Sequence, residues 1–254
     1  MNPGTRKRAT RRGLISYLAV EAARGGRVWY RGRKENYHLL ADQGAASIGA
    51  GCDIQHSHLG RNTVVQRDSA IRGSVLGDYT VIGRGNVIRD STLGAFCASG
   101  ADVWIGLGEH PLSGHVSWHP AMHSHRPEFG WDLVHGETYP VTPGSIVGNE
   151  VGIGARAMIM GGVRIGDGAV VLPGTVVTKD VQPYAVVAGS PARLVRYRFD
   201  EPTRRRLLEI AWWTWPEERL RAMAHLFDDV DAFLAALDAE SRDESLVATA
   251  QSGA

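Results

Sequence analysis

Apolar residues return at fixed short steps from Ile48 onward, and this period constrains the chain more than any other feature. Ile48, Ile54, Leu59, Val65, Ile71, Leu76, Ile82, Ile88 and Leu93 follow one another in steps of six, five and six, so a full cycle takes seventeen residues. Three columns stay in phase: Ile48, Val65 and Ile82; Ile54, Ile71 and Ile88; Leu59, Leu76 and Leu93, the last backed by Gly60, Gly77 and Gly94. A second block keeps a strict step of six through Val147, Ile153, Ile159, Ile165, Val171 and Val177, with Val151, Ala157, Val163, Ala169 and Thr175 four places after each of the first five. An amphipathic helix mixes steps of three and four, and neither block does. Fixed short periods mean stacked repeats. The physical reading is a triangular coil. Each side is a short strand with one large apolar residue pointing inward, and small residues or glycine let the corners turn. The predicted class is therefore mainly β, a parallel β-helix of hexapeptide repeats.

Between the blocks, from about Leu107 to Gly144, the period disappears and histidine, proline and tryptophan take over. A loop of that length thrown out from a repetitive scaffold points to function. After Asp180 the pattern changes again: Gln182, Pro183 and Tyr184 begin an irregular stretch, and Asp200 before Pro202 starts a helix running towards Trp213. Thr214 and Glu217 stand at capping-box spacing around Pro216, predicting a second helix there. Weak helical spacing over Leu14–Arg24 suggests a cap on the opposite end of the coil stack. The organisation expected is a tail and capping segment at 1–46, a β-helix at 47–182 with the extruded loop 107–144, a C-terminal loop and helices at 183–238, and a frayed polar tail at 239–254.

Charge and cysteine content narrow the partners. With 28 Lys and Arg against 27 Asp and Glu, the net charge of +1 leaves no electrostatic footprint for nucleic acid or an anionic membrane. Arg6, Lys7, Arg8, Arg11 and Arg12 read as a solvated tail. No apolar run is long enough to span a bilayer or to serve as a secretory signal, so the expectation is a soluble, cytoplasmic protein. Cys52 and Cys97 are too few for a disulfide framework and fall at equivalent repeat positions, as small buried side chains do.

Hexapeptide columns, a His-bearing loop and the segment Val187-Ala188-Gly189-Ser190-Pro191-Ala192-Arg193 occur together in the hexapeptide acyltransferases, which this chain resembles. Arg198-Phe199-Asp200 and Trp212-Trp213-Thr214-Trp215-Pro216 resemble the tail of the xenobiotic acetyltransferase branch, which includes streptogramin and type B chloramphenicol acetyltransferases and phosphonate-cluster relatives. The likeness runs from about Ile48 to Leu220. It implies a left-handed coil, a homotrimer with active sites between neighbouring prisms, and acetyl-CoA as donor for a small-molecule acceptor, with no metal.

Acyl transfer from a thioester needs an acceptor hydroxyl or amine, a base to take its proton, and donors for the developing oxyanion. Histidine suits the base, with an unperturbed pKa of about 6.5 and a typical contribution of about a hundred- to ten-thousand-fold in rate. The resemblance assigns this role to His110, at the start of the loop, with Glu109 as a candidate to orient the ring. It assigns the donor to Ala155, Gly161, Gly162, Pro173, Thr178 and Lys179, and its phosphates to Arg193 and Arg196. Within the loop, His115, Trp118, His119, His123, His125 and Trp131 are candidates to line the acceptor pocket. One departure stands out: Gly152 occupies a position where relatives commonly carry tryptophan, and Trp104 belongs to a different coil. Two other readings share the scaffold. A γ-carbonic-anhydrase-like zinc enzyme has two ligands spaced as His110 and His115 are, and needs about three in all. A non-catalytic scaffold would use the loop for recognition alone.

Overall fold

Each column becomes a ladder of parallel strands in the computed structural model, which describes residues 37–41, 44–110, 113–125, 130, 133–136 and 142–252. The first face stacks Gly44–Ile48, Val64–Val65, Val81–Ile82, Ala98–Ser99, Gly152–Ile153, Val170–Val171 and Ala185–Ala188. The second stacks Asp53–Gln55, Ala70–Arg72, Val87–Arg89, Trp104–Leu107, Met158–Met160 and Val176–Val177. The third stacks His58–Leu59, Val75–Leu76, Thr92–Leu93, Ile146–Val147 and Arg164–Ile165. The register follows the sequence columns, with Val65 opposite Ile82, Ile71 opposite Ile88 and Leu76 opposite Leu93. It survives the inserted loop, since Leu93 pairs with Val147 and Ile105 with Ile159.

One apolar side chain from most strands of the coil fills the prism. Ile71, Leu76, Ile82, Ile88, Ile159, Val171 and Val177 are wholly buried, and burying such a side chain is worth about 1.5–3 kcal/mol. The polar residues at the inner corners are buried too, and they tie one coil to the next. Thr80 Oγ1 donates to the Gly94 carbonyl at 2.9 Å and accepts from the Cys97 N–H at 3.3 Å. Ser99 interrupts an apolar column, and its hydroxyl accepts from Asn86 Nδ2 at 2.5 Å. Cys52 and Cys97 are buried free thiols, donating to the carbonyls of Gln66 and Gly148.

The corners depart from the expectation of small residues. Along one edge Asn62, Tyr79, Phe96, Glu150 and Tyr184 hold positive φ values of 56°, 58°, 58°, 56° and 57°. The left-handed conformation costs roughly 1–2 kcal/mol for a residue with a Cβ. Contacts along the edge offset it: Tyr79 and Phe96 stack with centroids 4.9 Å apart and planes 5° from parallel. Further along, Arg198 donates to Glu150 at 2.6 Å and to the Gly168 carbonyl at 2.8 Å, with its guanidinium 5.4 Å from the Tyr184 ring centre and 5.2 Å from that of Phe199.

The coil extends beyond the expected limits of 47 and 182. Tyr37–Ala41 folds antiparallel onto Gly44–Ile48, and Ala185–Ala188 adds a parallel rung because Val186 and Val187 still reach Val170 and Val171. Arg193–Tyr197 then closes this sheet antiparallel. The helix expected over Leu14–Arg24 and the basic residues between Arg6 and Arg12 lie outside the described residues.

Three helices follow: α1 Glu201–Ile210, α2 Glu217–Met223 and α3 Val230–Ser252. The Asp200 carboxylate accepts the Thr203 N–H at 3.0 Å, and hydrogen bonding from the Thr203 side chain together with this N–H holds its carboxyl below the ordinary range. α1 stops three residues short of Trp213, at Ala211 with φ 44°. Thr214 does not cap α2 as expected; it sits in its own tight turn and donates to the Ala211 carbonyl at 2.8 Å, leaving Pro216 at the cap. α3 continues to Ser252, where a frayed tail was expected after about Asp238. The chain divides into two compact units between Arg205 and Arg206. In the second, Trp212 meets Phe227 edge-on at 5.0 Å, Phe227 meets Phe233 at 5.2 Å, and Met223, Phe233 and Leu237 are buried. No described helix is long and apolar enough to cross a membrane.

Candidate active site

The long loop leaves the coil after the second-face strand Trp104–Leu107 and re-enters at the third-face strand Ile146–Val147. Both ends press on the coil below. A Cβ on Gly106 would lie 2.0 Å from the Arg89 carbonyl oxygen, and one on Gly144 would lie 1.3 Å from that of Asp90. Only glycine lets the two ends enter and leave so close to the backbone. The Glu109 N–H donates to Thr142 Oγ1 at 2.9 Å, joining the outgoing and returning chains. The coil above holds the same neck, because the Gly161 N–H donates to the Leu107 carbonyl at 2.8 Å and that of Gly162 to the Gly144 carbonyl at 3.3 Å. The sequence marks Gly106 and Gly144 only as the limits of the loop and gives Thr142 no role, although Pro143-Gly144 is a turn signal.

His110 is exposed, three residues beyond Leu107. Its ring stands edge-on to Trp118 at 5.7 Å and to His123 at 6.2 Å. Among the described residues the Glu109 carboxylate makes no hydrogen bond to the His110 ring; what Glu109 contributes is its backbone N–H at the neck.

The loop candidates separate by burial. His115 and His119 are exposed, and Trp118 is 65% exposed. His119 Nδ1 accepts the Ala121 N–H at 3.2 Å and so caps the tight turn Pro120–Met122. His125 Nδ1 donates to the Val134 carbonyl at 3.0 Å. His123, placed by the sequence on the acceptor pocket, is only 4% exposed. Trp131 lies outside the described residues.

The donor candidates fall on the two edges of the second face. Ala155 and Pro173 share one edge, where the Gly174 N–H donates to the Ala155 carbonyl at 2.9 Å. Gly161 and Gly162 share the other edge with the loop neck, and Thr178 and Lys179 follow there one coil on, both exposed. The structure thus unites Gly161, Gly162, Thr178, Lys179 and the His110 loop at one corner. It also gives Gly161 a structural duty: a Cβ there would lie 2.6 Å from the Pro143 carbonyl oxygen, so this glycine seats the loop. Arg193 and Arg196 are exposed on the closing strand of the first face, where each donates to a nearby backbone carbonyl.

Gly152 lies on the first face between Ala98 and Val170, and an added Cβ would meet only Val170, at 3.8 Å. Trp104, 44% exposed, lies on the second face beside Met158, so it does not stand in for an aromatic at 152. Among the described residues no group of three or more His, Cys, Asp or Glu is arranged to hold a metal ion.

Residues 144–179 match the bacterial transferase hexapeptide (six repeats) family. Over 78 residues the chain is 53% identical to a chloramphenicol acetyltransferase from Agrobacterium fabrum, a stretch covering 31% of this chain and 37% of that protein. It is 38% identical over 93 residues to a probable macrolide acetyltransferase from Lysinibacillus sphaericus, covering 36% of this chain and 52% of that one. A galactoside O-acetyltransferase from Escherichia coli is 41% identical over 83 residues, covering 32% and 36%. The matched stretches therefore span between 36% and 52% of these relatives. In fold, the chain matches the N-acyltransferase AntD from Bacillus cereus, solved with dTDP and 3-hydroxybutyryl-CoA, with a TM-score of 0.50 and 18% identity over 70% of this chain and 88% of that one. In repeat, in local sequence and in fold, this chain resembles the hexapeptide-repeat acyltransferases.

Proposed function

We propose that the chain is an acyl-CoA-dependent acyltransferase, with acetyl-CoA as donor and a small hydroxyl- or amine-bearing acceptor such as an antibiotic, a natural-product intermediate or a sugar. The observation that carries this reading is the meeting of the His110 loop neck with Gly161, Gly162 and the Thr178–Lys179 edge at one corner of the prism. Similarity to acetyltransferases of chloramphenicol, macrolides and galactosides supports the acceptor class.

In this reading the donor's pantetheine arm runs along the second face between Ala155 with Pro173 and Gly161 with Gly162, and Thr178 and Lys179 meet its distal part. Arg193 and Arg196 supply charge to its phosphates. His110 takes the proton from the acceptor hydroxyl or amine as that atom attacks the thioester carbonyl. The tetrahedral intermediate then collapses, the carbon–sulfur bond breaks, and the imidazolium returns the proton to the departing thiolate. Glu109 acts through the loop neck. Trp118, beside the His110 ring, and the exposed His115 and His119 of the same loop form the acceptor side. The active form is a homotrimer with each site between neighbouring prisms.

The test is acetyl transfer to chloramphenicol, a macrolide and a galactoside, followed by product mass and CoA release, with calorimetric titration of acetyl-CoA alongside. Wild-type protein is expected to bind about one acetyl-CoA per chain and to acetylate at least one acceptor class. His110→Ala is expected to retain binding and lose about a hundredfold or more in kcat, whereas Lys179→Ala or Arg196→Ala weakens binding. Full activity in His110→Ala, or no acetyl-CoA binding by the wild type, would overturn the reading.

A further inference from the structure

Resting on the acyltransferase reading of the site, we propose that His123 is a positioning residue, which holds Trp118 against the His110 ring from inside the loop instead of touching the acceptor. The local fold explains how it gets there. Pro120 opens a tight turn capped by His119, and the His123 and Ser124 N–H groups both return to the Pro120 carbonyl, at 3.0 and 2.7 Å. That turn folds the chain back on itself, so that His123 Nε2 lies 3.2 Å from the Trp118 carbonyl oxygen, five residues earlier.

A carbonyl can only accept, so Nε2 carries the hydrogen. In that tautomer Nδ1 accepts from the Ser124 hydroxyl, 3.3 Å away. Both ring nitrogens are thus engaged inside the loop, and the ring is 4% exposed. Trp118, whose backbone His123 holds, is instead 65% exposed, and its indole stands edge-on to His110. His123 itself packs edge-on to His110 from the other contact, 6.2 Å away. The imidazole of His110 is therefore bounded by one buried ring and one exposed ring, and a single side chain fixes both. The third loop histidine of the turn, His119, spends its Nδ1 on the cap, so it cannot take over this duty without releasing the turn.

The experiment compares His123→Phe, which keeps the ring volume and removes both hydrogen bonds, with His123→Gln, which keeps an N–H donor. Readouts are kcat and both KM values with an acceptor the wild type uses, acetyl-CoA binding by calorimetry, and the His110 imidazole resonances of the ligand-free protein. His123→Phe is expected to lower kcat by about ten- to a hundredfold, the scale of a misplaced catalytic group. Both KM values and acetyl-CoA binding should stay within about twofold, as a group outside the ligand contacts allows, and the His110 resonances should shift. His123→Gln should recover much of kcat. If the phenylalanine variant fails to fold, Ser124→Ala carries the test, with a loss of about two- to tenfold for one hydrogen bond. A raised acceptor KM with unchanged kcat would make His123 a ligand contact and overturn the proposal, as would wild-type kcat and resonances in His123→Phe. Absence of transfer by the wild type would sink the acyltransferase reading separately, and the His110 resonances would then decide whether His123 holds this geometry.

Discussion

Cys97 shows how strongly a single inward position of the prism is governed by its surroundings. Burial pushes its thiol from an ordinary 9.0 up to about 12, while Sγ donates to the Gly148 carbonyl at 3.0 Å. Because the folded-state value lies above the unfolded one, the protonated thiol contributes its full stability below about pH 9, and that contribution is lost as pH rises towards 12. The expected outcome is a melting temperature that falls more steeply between pH 9 and 11 in the wild type than in Cys97→Ala. A parallel dependence in the two proteins would rule out the thiol as its source. The burial of both cysteines was legible from their repeat positions. The use of Tyr79, Phe96 and Tyr184 in left-handed corners was not, because the stacking and cation–π contacts that offset their cost join residues on different strands, well separated along the chain.

At the scale of elements, strands and loop carry different burdens. Each coil of a solenoid touches only its neighbours, and most strands of the coil contribute a buried apolar side chain. Ile88→Ala should therefore cost about 2–5 kcal/mol in denaturant unfolding, the usual range for deleting a buried Ile side chain down to Ala. Replacing residues 113–136 with a short Gly-Ser linker should do much less. The ladder pairs Leu93 with Val147 and Ile105 with Ile159 on either side of the loop, and the neck from Glu109 to Thr142 is retained. That protein should keep a far-UV dichroism spectrum close to wild type and lose acyl transfer. Unfolding on loop replacement, or a neutral Ile88→Ala, would contradict this division. The loop's existence was plain from the lost period, whereas its neck was not, since Gly106, Thr142 and Gly144 matter through contacts with Arg89, Asp90 and Glu109.

For the whole molecule, large apolar side chains stand exposed on two outward faces of the coil. Val75 and Ile146 on the third face and Trp104 and Met158 on the second are all at least 41% exposed. Apolar patches of this kind commonly mark association surfaces. Light scattering after size exclusion is expected to return close to three times the chain mass of 27.5 kDa, as the homotrimer reading requires. A monomer across the concentration range would remove that reading, and with it any site shared between prisms.

The sequence by itself determined the parallel β-helix, its three inward columns and the place where the loop leaves. These follow from a period of five or six residues, which is local and repeats often enough to be read without knowing what touches what. Only the tertiary structure decided that Gly161 seats the loop, and that His123 turns inward while Trp118 faces out. It also decided that Val186 and Val187 add one more rung. The reason is the same in each case: burial and hydrogen bonding in the loop and at the coil's end depend on approaches through space between segments whose separation in sequence follows no period.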